Sequence, residues 1–142
     1  MASAAALLKH KGRVIHSVSP EAPVLDAIRL MAEHGVGALL VMQGEQLVGV
    51  VSERDYARKV ILKGRSSSET PVRQIMSSPV LTVRPDQTAH ECMRIMTENR
   101  IRHLPVVEGE RVAGVLSIGD LVRSVLEEQQ RTIAELEHYI HS

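Results

Sequence analysis

The segment GVVSERDY at residues 49–56 decides how this chain is read. An apolar pair, Val50 and Val51, runs straight into four polar residues with Ser52 three positions ahead of Asp55. GVLSIGDL at residues 114–121 places Gly, Val, Ser and Asp at the same spacing. Working outward from these two segments, a shift of 65 residues aligns 18–56 with 83–121 without a gap, and 13 of the 39 aligned positions are identical. The identities include Pro20/Pro85, Arg29/Arg94, Met31/Met96, Gly44/Gly109 and Gly49/Gly114 as well as the Ser and Asp pairs. The chain is an internal duplication, and two copies favour paired halves over a solenoid, which needs about three or more repeats.

Each copy has the same rhythm. An extended piece ends at Pro20 or Pro85, and apolar residues then recur at helical spacing: Leu25, Ile28, Leu30 and Met31 in one copy, Ala89, Cys92, Met93 and Met96 in the other. That predicts a helix reaching His34 or Asn99. Two short apolar runs follow, split by QGEQ or EGER, which is a hairpin signal, and a second helix is expected from Ser52 or Ser117. The fold class is therefore α+β, a strand-helix-strand-strand-helix unit occurring twice. The expected division is 1–12 as an N-terminal segment, 13–62 as the first repeat and 63–74 as an exposed linker rich in Ser with Gly and Pro. It continues with 75–126 as the second repeat and 127–142 as a C-terminal helix extension. In that extension Val122, Leu126, Ile133, Leu136 and Ile140 alternate like a and d positions, interrupted by Gln129. Such a helix either folds back onto its own repeat or packs against a second subunit.

Composition narrows the function classes. The 142 residues include no Phe, no Trp and two Tyr, so the core must be aliphatic, and no aromatic platform exists for single-stranded nucleic acid. Seventeen Lys plus Arg balance seventeen Asp plus Glu, which leaves no overall field to collect nucleic acid or an anionic membrane. The lone Cys92 fits a reducing compartment, and no stretch approaches the roughly 20 apolar residues of a membrane span, so a cytoplasmic location is expected. Rossmann, P-loop and Gly-x-Ser-x-Gly patterns are missing. His138 and His141 lie i,i+3 on the tail without a third ligand partner in sequence, so no metal site is expected.

Ser-x-x-Asp at a helix start has two readings. It can be a capping box, in which Ser accepts from an orphan backbone N–H, although Asp is shorter than the usual Glu and therefore the weaker reciprocal cap. Alternatively the helix start faces a ligand. Its free N–H groups and partial positive charge suit a phosphate, and a carboxylate one turn on can accept both protons of a ribose diol.

The duplicated Pro, the Arg-x-Met helices, IRHLPVV at residues 101–107 and the twice-occurring Gly-Val-apolar-Ser-x-x-Asp resemble a tandem pair of cystathionine β-synthase (CBS) domains, the Bateman module. The resemblance spans about residues 12–125. It implies two βαββα repeats packed through a pseudo-twofold axis, with clefts that bind adenosine compounds such as AMP, ADP, ATP, NAD or S-adenosylmethionine. Carried over residue by residue, one cleft joins Val14, His16, Val36, Gly37 and Ala38 to Val115, Ser117 and Asp120. The other joins Pro79, Leu81, Ile101, Arg102 and His103 to Val50, Ser52 and Asp55, with Arg54 nearby and Glu53 opposing an anion. The offset sets Gly37-Ala38 against Arg102-His103, so adenine is expected against the former, with Arg102 and His103 as cations reaching a phosphate near Ser117. The Asp120 cleft ranks first. The implied protein is a homodimeric, non-catalytic regulatory module with no catalytic cofactor, signalling to a separate effector. The alternative is a structural homodimerisation domain without ligand.

Overall fold

The structure, a computed structural model, describes residues 2–141. The chain divides into two compact units, one of Val14–Leu81 and one of the residues up to Arg13 together with those from Thr82 onward.

In the first-repeat unit, β1 (Ser17–Val18) lies parallel to β2 (Ala38–Gln43), which pairs antiparallel with β3 (Gln46–Ser52). Helix α2 (Val24–His34) buries Val24, Ala27 and Met31 against Leu39, Val41 and Val51; of the face expected from the spacing only Met31 is buried, while Leu25, Ile28 and Leu30 are half-buried. The hairpin is tighter than the polar break suggests, because Gln43 and Gln46 pair and only Gly44 and Glu45 turn. Gly44 takes φ +62, the left-handed value that a glycine adopts without a Cβ clash. After Ser52 a four-residue helix α3 (Glu53–Tyr56) passes into a π-turn, Ala57–Ile61. The segment expected as a linker is laid along this unit: Val24 N–H donates to Thr70 O, Val72 N–H to Ala22 O, and Thr70 and Val72 are buried.

The second-repeat unit repeats the plan. Helix α4 (Ala89–Asn99) packs on β4 (His103–Glu108) and β5 (Arg111–Ser117), while the first strand shrinks to a single parallel bridge, Val83 to Val106. The β-bulge at Val41/Met42 recurs at Val106/Val107, the same place in the duplicated register. The core is Ala4, Leu8, Val83, Ala89, Cys92, Met96, Leu104, Val106, Leu116 and Leu121, aliphatic as the composition demands.

Two elements depart from expectation. The N-terminal segment is a helix, α1 (Ala4–Lys11), capped by Ser3 and pinned to this unit through Ala4 N–H to Gln87 O and Ala89 N–H to Ala2 O. Its Leu8 fits over Gly114, where a Cβ would come within 2.6 Å of the leucine methyl. The C-terminal helix α5 (Ile118–His141) is one 24-residue rod. The fold-back reading of it is incorrect: every residue from Gln129 to His141 is exposed. Only Leu121, in its first turn, is buried; Val125 is half-buried, and Leu126, Ile133, Leu136 and Ile140 beyond it are exposed.

Candidate functional site

Both Ser-x-x-Asp segments stand where a strand turns into a helix, and in both the box is closed. Ser52 Oγ accepts from Asp55 N–H at 3.1 Å, while Asp55 Oδ2 accepts from Ser52 N–H at 2.9 Å and from Ser52 Oγ–H at 3.0 Å. At the second, Ser117 Oγ accepts from Asp120 N–H at 3.2 Å, and Asp120 Oδ2 accepts from Ser117 N–H at 2.8 Å and Ser117 Oγ–H at 2.9 Å. The expectation that Asp is too short for a firm reciprocal cap does not hold, because the extended backbone of Ser52, φ −124 and ψ 165, brings its N–H to the carboxylate.

Each helix start is flanked by the strand opening of its own repeat. Ala38 pairs with Ser52, and Gly37 O accepts from Glu53 N–H; His103 pairs with Ser117, and Arg102 O accepts from Ile118 N–H at 2.8 Å. Val36 and Gly37, with Ile28, Met31, Ala32, Gly35 and Glu53, line a shallow cavity of about 310 Å³. His16 lies beside β2, its carbonyl accepting from Leu40 N–H and its ring stacked on His34 at 3.8 Å. Val14 and Leu81 are exposed apolar side chains, Arg54 and Pro79 are exposed, and Ile101 is half-buried with its N–H on Met96 O.

What separates the two sites is a pair of lysines and a strand edge that sequence reasoning missed. Asp55 is met through Oδ1 by Lys59, one helical turn on, at 3.2 Å; the same ammonium donates to Ile75 O. Asp120 is met by Lys11, 109 residues away, at 2.6 Å on Oδ2, and that ammonium also donates to Val115 O at 2.8 Å. Val50, expected in the second cleft, has both backbone groups taken: Ser77 binds its N–H and its C=O in a bridge. At the matching Val115 the carbonyl accepts from the Lys11 ammonium. Lys59 was legible as an i,i+4 partner, whereas the position 65 residues later is Ser124. Nothing local announces Lys11.

The electrostatics follow. Burial alone pushes the Asp120 carboxyl up, but the Lys11 ammonium and the backbone and hydroxyl of Ser117 outweigh it and hold the group below its ordinary value of 3.8. All these hydrogen bonds fall on Oδ2, and Oδ1 takes none of them. His103 is pushed down from 6.5, first by burial and then by Lys11, with Asp120 opposing. It is neutral at neutral pH, so the expected cationic character of the Arg102-His103 pair rests on Arg102 alone. Cys92 is buried, and burial raises its thiol pKa, so it is a core residue without nucleophilic character.

Helix α5 matches α3 in how its first amides are used, with Arg54 left at α3 as Gly119 is at α5, and differs in length. Of its first three, Ile118 donates to Arg102 O and Asp120 to Ser117 Oγ, which leaves Gly119 for an outside acceptor at the head of a 24-residue dipole.

These paired strand-to-helix turns on a duplicated βαββα plan define a CBS-type module. The chain belongs to the CBS domain family, whose model matches residues 12–62 and 72–127. It is 45% identical over 122 residues to the mitochondrial CBS domain-containing protein CBSX3 of Arabidopsis thaliana, covering 82% of this chain and 59% of that protein. A solved structure with CBS domains from Burkholderia ambifaria, named for signal transduction, is 51% identical with a TM-score of 0.86, covering 90% of this chain and 96% of the other. The CBS domain pair of protein MJ0100, in complex with 5′-methylthioadenosine and S-adenosyl-L-methionine, shares the fold with a TM-score of 0.80 at 19% identity, covering 90% and 98% of the two chains. The chain spans about three-fifths of the Arabidopsis relative's length. Among the described residues no helix is long and apolar enough to cross a membrane.

Proposed function

We propose that the protein is a non-catalytic regulatory module that binds an adenosine-containing compound at the Asp120 site. The observation that carries this reading is the Asp120 carboxylate, held ionised, with its hydrogen bonds gathered on one oxygen and the other left for a hydroxyl. Ribose hydroxyls donate to Asp120, a phosphate, where the ligand has one, meets Gly119 N–H and the α5 dipole, and Arg102 supplies the diffuse positive charge. The adenosine ligands of the MJ0100 domain pair support the ligand class, and AMP, ADP, ATP, NAD and S-adenosylmethionine are the compounds to compare.

Lys11 now occupies two groups, the Asp120 carboxylate and the Val115 carbonyl, that the ligand would use. It is a partly exposed ion pair of the kind that contributes about 0.2–1 kcal/mol, whereas ligand hydrogen bonds to charged groups contribute about 1.5–3 kcal/mol each. The ligand therefore displaces the lysine. Binding in the micromolar range suits a sensor of cellular nucleotide level, acting in the cytoplasm, as a homodimer, on a separate effector protein.

Thermal melting tests this. A ligand at about 100 times its Kd adds about 2.7 kcal/mol, a shift of several degrees, and Asp120→Ala abolishes the shift. The second reading, an association domain without ligand, draws on the closure of both capping boxes. It predicts that none of these compounds moves the melting point of the unmodified protein. Turnover of any of them overturns the non-catalytic assignment.

A further inference from the structure

Helix α5 is about 36 Å long at 1.5 Å per residue, and its last 13 residues, Gln129 to His141, are exposed on every side. Leu126, Ile133, Leu136 and Ile140 are 59%, 48%, 57% and 72% exposed. With Val122 and Gln129 they step by four, three, four, three and four residues, a regular heptad spacing whose seam is apolar except at Gln129. That exposed 13-residue end is marginal as a helix in water without a surface to bury its stripe.

We propose that α5 pairs with α5 of a second copy of this chain as an antiparallel two-helix coiled coil. The charges flanking the seam favour this occupant and this direction. When Val122 lies opposite Ile140 of the other copy, Leu126 lies opposite Leu136 and Gln129 opposite Ile133. That register sets Arg123 against Glu137 twice, Gln130 against its own equivalent, and Val125 against Tyr139. A parallel pairing instead sets Val125 against Gln130 and Thr132 against Glu137, with no opposite charges meeting. The antiparallel helix is thus complementary to itself in charge and in apolar content, as a symmetric two-fold contact requires.

Sedimentation equilibrium on the full chain tests the proposal. Leu136→Glu sets a carboxylate in the seam and weakens dimerisation at least tenfold. Arg123→Glu and Glu137→Arg each weaken it several-fold by opposing like charges, and the double variant Arg123→Glu/Glu137→Arg restores it. These positions are exposed, so circular dichroism and melting of the folded units stay unchanged. A dimerisation constant indifferent to Leu136→Glu, or a chain that stays monomeric at all concentrations, overturns the proposal and leaves the stripe to a different partner. Failure of the double variant to recover overturns the antiparallel register.

Discussion

The two Ser-x-x-Asp turns descend from one duplicated segment and close the same capping box, yet they are held shut by different means. At Asp55 the closure is local: Lys59 stands one turn on, and Ser77 bridges both backbone groups of Val50. At Asp120 a long side chain does both jobs, since Lys11 of α1 spans the carboxylate and the Val115 carbonyl. Breaking a backbone bridge exposes two amide groups; moving a lysine returns an ammonium to water. The helices also differ, four residues before a π-turn against twenty-four. The copy whose closure is a single flexible cation is the one that can exchange it for a ligand.

The comparison breaks most visibly at the root of α1. Leu8→Ala removes a buried leucine and undocks the helix that carries Lys11, a loss of about 2–5 kcal/mol by chemical denaturation, with the first-repeat unit unaffected. Ser52→Ala and Ser117→Ala each remove a helix cap and cost about 0.5–2 kcal/mol; closely matched losses are expected because the two boxes are alike. The helix ends sharpen the contrast between copies. Gly35 closes α2 at φ +64, whereas Arg100 closes α4 at φ +55, so Arg100→Gly stabilises by up to about 1 kcal/mol in the same assay. Lys11→Met changes stability by no more than about 1 kcal/mol but removes the competitor at Asp120. Calorimetric titration with adenosine, which has no phosphate for the ammonium to follow, then shows affinity up to about fivefold higher; that factor is 1 kcal/mol at 25 °C.

The pH dependence separates the sites too. The folded-state pKa of His103 is depressed, so the unfolded chain binds the extra proton and stability falls as pH drops below 6.5. Asp120 is also depressed; its contribution is fully present above 3.8 and is lost as pH falls below that value. Melting from pH 8 to pH 5 shows the first loss, and His103→Gln removes it.

Most of the fold was legible because duplication doubled every signal. The two hairpins, the helices ending at His34 and Asn99, and the strand-to-helix turns at Ser52 and Ser117 all follow from local spacing. The capping boxes were legible as well, since their partners are three residues apart. What escaped was contact between distant residues: Lys11 with Asp120, Leu8 with Gly114, and the docking of residues 67–72 along α2. Local periodicity carries no record of a partner a hundred residues away. The neutrality of His103 likewise arises from burial, which the adjacent Arg102 in the sequence masks.

The most direct measurement follows the backbone amides of both turns by nuclear magnetic resonance while AMP is added. Shifts at Ser117, Gly119 and Asp120 that saturate at micromolar ligand, with Ser52 and Asp55 unmoved at the same concentrations, are the predicted result. Amides that stay in place at both turns, or that move first at Asp55, contradict it.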